Sequence, residues 1–421
     1  MALLLAARYN HVEIIELLLS ETESVYTSMS ETLTRFASQS LDVNLQDKNG
    51  WTALIIACDK GYLNIVELLL ARENVNVNLW NSGGKQAISA ACYRNHLEIV
   101  KLLLKRKDLK LSYSHDYGNV LPLINSSTNP KIVREIVKRR DIDLNFQKQD
   151  GTTVLMWVSR CYNSDIAREL LVRKDMNVNL QDENGETALI TACKNRMRKN
   201  AMEILKRDDV NFNLQDKHGD TALIISAKNN ELEIVLGILD HGSKVDVNIR
   251  NEKGNSALLT FLINFNYWSD MYIAEILIKR DDIDVNIQND ITGESALTIS
   301  CEYNHIGIVK LLLAKRDIRV NICNTEKITG LMKACWKGRL EIVRALLKDD
   351  SIDINLQDED GETALMGACY QGNLEIVQEL LKRKELEINL RNDEDESAKI
   401  FALKKRNFEI VKLLDLHESQ S

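Results

Sequence analysis

The sequence predicts an all-α solenoid of helix-turn-helix units joined by short β-turn or hairpin fingers. Three observations predict it. A short marker recurs at a near-constant spacing along almost the whole chain, the local signals inside each interval follow one order, and the composition favours helix.

The marker is an apolar residue, Asn and a second apolar residue. It occurs at Asn44, Asn78, Asn145, Asn179, Asn213, Asn248, Asn286, Asn321, Asn355 and Asn389, with Ser112 filling the one gap. Successive steps run from 33 to 35 residues, except for 38 after Asn248. A unit of one supersecondary size therefore occurs eleven times, and a fixed period of this kind marks stacked repeats.

Within a unit the elements follow in order. After Asn44, Asp47 offers a side-chain acceptor for a turn and Gly50 tolerates positive φ, which predicts the finger. Thr52 suits an N-cap, and Leu54, Ala57 and Cys58 recur at helical spacing, giving a short first helix with a small-residue face. Gly61 ends it. Ile65, Leu68 and Leu69 repeat the spacing in a second helix, followed by a polar stretch before the next marker. Neither helix can bury its apolar face alone, since isolated helices below about 12 residues are marginal in water. Stacking neighbours supplies the missing core.

Composition excludes other classes. With only 2 Pro and 28% charged residues beside 44% hydrophobic ones, the chain carries enough apolar surface to fold and is no Pro-rich disordered segment. A net charge of -8 argues against a general nucleic-acid or anionic-membrane binder. Met1 to Ala7 lack a basic leader region, and no stretch approaches the roughly 18 apolar residues of a membrane span. A cytoplasmic protein with no membrane insertion is expected.

The units resemble the ankyrin repeats. Asp182, Gly185, Thr187, Leu189 and Ala192 in one copy, and Asp358, Gly361, Thr363, Leu365, Ala368, Gly372, Ile376 and Val377 in another, match that family's pattern, and the resemblance covers nearly the whole chain. It implies an ankyrin solenoid that binds partners on its concave face, formed by finger tips and the exposed side of the first helices. There are departures. Ala-Leu replaces the family's Pro-Leu-His, leaving the first helix to its Thr cap, and the Gly after the second helix survives only at Gly242, with stretches such as Lys206-Arg207-Asp208-Asp209 in its place. Gln86 and Val120 replace the Thr, and Pro122 falls inside a first helix, so residues 77–143 are expected to open first. Hydrogen exchange as slow there as over 178–246 would refute this.

The expected organisation is a partial repeat over 1–19, a Ser/Thr-rich insertion over 20–42, and eleven repeats over 43–418, the last a polar C-terminal cap. Ala2 to Ala7 align with Ala53 to Cys58, so the first unit lacks a finger. Lys399, Lys404, Lys405 and Arg406 are expected to break up the last unit's first helix, ahead of a polar tail from His417. The 20–42 insertion reads either as an extended helix and loop or as a phosphorylatable loop. The longer unit from Asn248 gathers Phe265, Tyr267, Trp268 and Tyr272, either as local packing or as an aromatic anchor.

Catalytic and metal chemistry find little footing. Cys58, Cys92, Cys193, Cys301, Cys335 and Cys369 share one slot per repeat, roughly 10 Å apart by helix packing, too far for a shared zinc or a disulfide. Reduced, buried cysteines are expected. His11, His96 and His305 share another slot, with a structural role expected. No nucleophile elbow, phosphate loop or zinc spacing is present, so no enzyme activity and no cofactor are predicted.

Recognition remains. Trp51, Trp80, Tyr93, Tyr117, Tyr303, Trp336 and Tyr370 fall on the finger and first-helix face without recurring in register, as binding aromatics would and core residues would not. Single surface aromatics are the alternative. Glu186, Asp220, Glu294, Glu362 and Glu396 line the same face, pointing either to a basic partner segment or to an ordinary solvated surface. The expected function is a non-enzymatic protein-protein interaction scaffold or adaptor. The alternative is a targeting or regulatory arm of a larger enzyme or effector whose catalytic part lies upstream of Met1.

Overall fold

The computed structural model describes residues 1–20, 41–111, 129–264 and 271–420. Among them every regular element is helical, and β structure is confined to isolated bridges such as Trp80–Gln86 and Gln357–Thr363 at the bases of fingers. The all-α expectation holds. Most of the 20–42 insertion lies outside the described residues, as do Ser112, Tyr117, Val120, Pro122, Phe265, Tyr267 and Trp268.

The chain forms two compact units, Met1–Val210 and Asn211–Ser421. The first holds α1 Ala2–Tyr9, α2 Val12–Leu19, α3 Ala53–Lys60, α4 Leu63–Leu70, α5 Ala87–Tyr93, α6 Leu97–Leu104, α7 Pro130–Val137, α8 Val154–Ser159, α9 Ser164–Leu171, α10 Ala188–Lys194 and α11 Arg198–Ile204. The second holds α12 Ala222–Lys228, α13 Leu232–Leu239, α14 Ala257–Asn264, α15 Tyr272–Lys279, α16 Ala296–Glu302, α17 Ile306–Leu313, α18 Gly330–Trp336, α19 Leu340–Leu346, α20 Ala364–Gln371, α21 Leu374–Leu380, α22 Ala398–Lys404 and α23 Phe408–Gln420.

The first helices start where the caps predict. Thr52, Thr187, Thr221 and Thr363 each accept a hydrogen bond from the backbone N–H three residues on, at 3.1 to 3.2 Å. Gln86, in the Thr position, instead donates its backbone N–H to Ser89 Oγ at 2.8 Å. Gly61 closes α3 at φ +80, and the His96 ring lies where a Cβ would stand, so the glycine serves both a left-handed turn and a close approach. First helices pack on first helices and second on second within each unit. The small Ala57 and Cys58 and the larger Ile65, Val66 and Leu69 are all buried, as the small-face and large-face pattern requires.

The marker Asn proves to be a clamp between copies. Asn44 donates to the Asn74 carbonyl at 2.8 Å and accepts from the Asn76 N–H at 2.7 Å. Asn145, Asn248 and Asn286 repeat both bonds about one repeat further on. Gln46, two residues later, donates to the Gly50 carbonyl in its own finger and to the Trp80 carbonyl in the next, both at 2.8 Å. These side chains satisfy main-chain groups that turns leave unpaired.

The missing glycine after the second helix also has a substitute. Arg207 is 7% exposed, and its guanidinium donates to the carbonyls of Leu171, Arg173 and Met176 in the preceding copy while binding Asp209 two residues on. Arg106, Arg139, Arg173 and Arg280 pair in the same way with Asp108, Asp141, Asp175 and Asp282, and each donates to at least one carbonyl of the preceding copy. In each case the Arg side-chain hydrogen bond, foremost, holds the Asp pKa down, to about 2 at Asp175.

One expectation is corrected at the C-terminus. Lys399 and Lys404 sit inside an intact α22, and the polar stretch from His417 continues α23 through Gln420. Lys399 pairs with Asp415 and Glu418 of α23, and Lys404 pairs with Glu396, so neighbouring carboxylates neutralise the cations that would otherwise repel within α22. At the other end Leu5, Ile14 and Leu17 are exposed on α1 and α2.

Candidate functional site

Each first helix presents the same positions beside its finger: the residue before the cap, and the residues four and seven after it. Register brings them together. Lys194, seven after the Thr187 cap, reaches back to Glu186 just before it, at 2.8 Å. These slots change identity from copy to copy, whereas the cap, the small-residue face and the clamps recur.

In the first unit the positions gather around Tyr93, which is 58% exposed. Lys85 Nζ lies 5.1 Å and the Arg94 guanidinium 5.6 Å from its ring centroid, and both cations pair with Asp59, at 3.8 and 3.3 Å. Tyr93 is thus a ring flanked by two anchored cations. Trp51 is half-buried, with its backbone N–H donating to the Asp47 carboxylate at 2.9 Å. Trp80 is half-buried at a finger base, its carbonyl taken by Gln46.

The second unit carries a cavity of about 650 Å³ between finger turns and first helices, lined by Asp220, Asn255, Thr260, Glu294, Tyr303 and Lys333 among others. Internal polar pairs cross it. Asn251 donates to Asp220 at 2.8 Å and Asn289 to Asn255 at 2.6 Å. Lys333 bridges Glu294 at 2.7 Å and Glu302 at 2.6 Å; burial opposes its charge, but the two carboxylates outweigh that and raise its pKa. Glu294 is therefore held by a lysine and largely covered, with 15% of its side chain exposed.

Beyond the cavity, Trp336 and Tyr370 occupy the seven-after-cap slot of consecutive copies. Their ring centroids stand 5.1 Å apart at 50°, and Phe401 meets Tyr370 at 6.1 Å, nearly edge-on. Gly367 makes the room: a Cβ there would come within 2.7 Å of the indole. Lys405 Nζ lies 3.9 Å above the Tyr370 centroid. Glu362 stands just before the cap of the Tyr370 helix and has no basic partner among the described residues. Burial first, then the nearby Asp358, Asp360, Glu394 and Glu396 carboxylates, push its pKa up.

The sequence-predicted aromatics thus fall into separate groups. Trp336 with Tyr370 forms a pair, Tyr303 lines the cavity in the same unit, and Trp51, Trp80 and Tyr93 lie in the first unit. Tyr117 and Trp268 lie outside the described residues. Sequence reasoning missed Phe401, Gly367 and Lys405; the signal was register, since Phe401 and Gly367 stand four after a cap, where Lys333 stands in another copy. Among the described residues no three His, Cys, Asp or Glu side chains converge as a metal would need. Cys58, Cys92, Cys301 and Cys335 are buried and free, with burial driving their thiol pKa far upward, and to about 12 at Cys369. No described helix is long and apolar enough to cross a membrane.

A family model described as "Ankyrin repeats (3 copies)" matches residues 3–113, 123–216, 161–251, 263–358 and 331–419. Among solved structures, an ankyrin repeat domain from Acinetobacter baumannii AYE is similar over 47% of this chain and 97% of its own, at 25% identity and a TM-score of 0.41. No curated protein matches the chain.

Proposed function

Because this chain belongs to the ankyrin-repeat family, whose members are generally protein-protein interaction modules, we propose that it is a non-enzymatic scaffold or adaptor that binds a protein partner through its finger and first-helix face. The observation that carries the reading is the contrast between slots. The core positions, the Ser or Thr cap and the Asn clamp hold the same residue types in most copies, while the slot seven after the cap varies and holds Tyr93, Trp336 and Tyr370 at or near the surface. Scaffold positions are under one packing demand and repeat; positions answering to a non-repeating partner do not. Aromatic rings supply large contact area at small entropic cost, and the carboxylates nearby suit a basic partner segment. On this reading the chain is a partial repeat over 1–19, an insertion over 20–42 and a binding array over 43–418, working in the cytoplasm.

The test is capture from source-cell cytosol by the wild-type chain and by a chain carrying Tyr93→Ala, Trp336→Ala and Tyr370→Ala, with circular dichroism to show both are helical. A partner held by the first and lost by the second supports the reading. Equal capture moves the binding surface elsewhere.

A further inference from the structure

The copies of the first-helix face can be compared in register, and the comparison isolates one carboxylate. Four copies carry glutamate just before the cap, at Glu186, Glu294, Glu362 and Glu396. Two are met by the lysine seven after their own cap: Lys194 for Glu186 at 2.8 Å, and Lys404 for Glu396. The third, Glu294, is met by Lys333, which stands four after the cap of the following copy. For Glu362 the same two slots hold Tyr370 and Phe401. Both places from which a lysine reaches a glutamate elsewhere in this protein are filled by aromatic rings here, and Glu362 has no basic partner among the described residues.

Those rings are arranged to receive a cation. Trp336 and Tyr370 stand 5.1 Å apart, with the indole seated where Gly367 lacks a Cβ, so the pair is held by the backbone of α20 rather than left loose. Lys405 already places an ammonium 3.9 Å over the Tyr370 centroid, and it makes no ion pair among the described residues, so it is a removable occupant of the ring face. A guanidinium can do what this ammonium cannot: it stacks flat on a ring while its in-plane N–H groups bind a carboxylate, and it sheds water more readily.

Resting on the reading of this face as a partner-binding surface, we propose that Glu362, Tyr370 and Trp336 form a receptor for an arginine side chain in a basic segment of the partner protein. The guanidinium lies over Tyr370 in place of the Lys405 ammonium, and Glu362 supplies the counter-ion that its own chain does not.

Fluorescence anisotropy of fluorescein-labelled hexaarginine and hexalysine, titrated with the full chain at low salt, tests this. Hexaarginine is expected to bind several-fold more tightly than hexalysine. Glu362→Gln and Tyr370→Leu are each expected to weaken hexaarginine by about tenfold, and Lys405→Met to strengthen it. Glu341→Gln, an equal change of charge on the exposed side of α19, should leave binding within about twofold. Equal binding of the two peptides, equal loss in Glu341→Gln and Glu362→Gln, or no binding at all would each overturn the proposal. Glu362→Gln is isosteric and decides the question if Tyr370→Leu loses helicity. The two readings fail separately: a cytosolic partner lost on Tyr93→Ala yet kept by Glu362→Gln and Tyr370→Leu retains the protein-binding face and removes only the arginine receptor, whereas a partner kept by all three variants removes the face itself.

Discussion

Arg207→Met removes the charge that closes the second helix α9 and its following turn while keeping most of the side chain's length. In the structure the Arg207 guanidinium donates to the Arg173 carbonyl at 2.9 Å and the Met176 carbonyl at 3.1 Å, with a weaker bond to Leu171 at 3.3 Å. Hydrogen bonds from a charged donor contribute about 1.5–3 kcal/mol each, and the buried carbonyls are left without a partner. Asp209, the other partner, is half exposed and returns to water at little cost. Two full bonds and one weak one give a loss of about 3–6 kcal/mol, overlapping the range seen when one member of a buried charged network is removed. Because repeat arrays open locally, a global melting curve would blur this, so the assay is hydrogen exchange over 164–180 and 198–210. At about 1.4 kcal/mol per tenfold, amides there should exchange roughly a hundred- to a thousandfold faster or more, while 53–70 stays as it was. Asp209→Asn should cost about 1 kcal/mol or less. A change below tenfold in Arg207→Met, or equal effects in the two variants, would refute the role assigned to the guanidinium.

Other outcomes follow from the same geometry. Asn286→Ala breaks the bonds to the Asp317 carbonyl and the Arg319 N–H and should cost about 1–3 kcal/mol, read as faster exchange in the turn at 315–321. Thr187→Ala should cost about 1 kcal/mol through the lost bond to Ile190, and Thr187→Ser should restore it. The pH dependence has two opposite signs. Asp175, held down to about 2 by Arg173, stabilises the fold above the ordinary carboxylate range, and that stability is lost as pH falls from about 4 towards 2. Glu362, pushed up, costs stability above its raised pKa, and the cost is relieved as pH falls through it, so Glu362→Gln should stabilise the chain at pH 7 and lose that advantage in acid. Alkylation at pH 8 should reach the half-buried Cys161 and Cys323 first and the buried Cys58, Cys92, Cys193, Cys301, Cys335 and Cys369 only on opening.

The period, the helix pairs, the Thr caps and the buried cysteine slot were legible because each rests on residue spacing along the chain. What escaped the sequence lies between copies. Asn44 announced the repeat, but its partners are main-chain atoms about thirty residues away, which no side-chain pattern labels. Arg207 and Asp209 looked like the absence of a capping glycine, when the guanidinium was doing the capping from the next copy. The glutamates read as a row of free charge because their counter-ions stand seven after the cap or in the following repeat, outside the usual three- and four-residue pairs of a helix. The same blindness made Lys399 look like a helix breaker, since Asp415 and Glu418 lie on α23. Of the candidate site, the aromatic slots were legible through their failure to recur. The approach of Trp336 to Tyr370 was not, because it depends on the empty space at Gly367.

On the proposed function, partners meet the finger and first-helix side of the repeats. Photo-crosslinking tests it most directly, with benzoylphenylalanine placed singly at Tyr93 and Tyr370 on that side and at the exposed Glu98 and Glu341 on second helices, in cytosol from the source cell. One partner band is expected from Tyr93, Tyr370 or both, and none from Glu98 or Glu341. Crosslinks from Glu98 and Glu341 alone would contradict it.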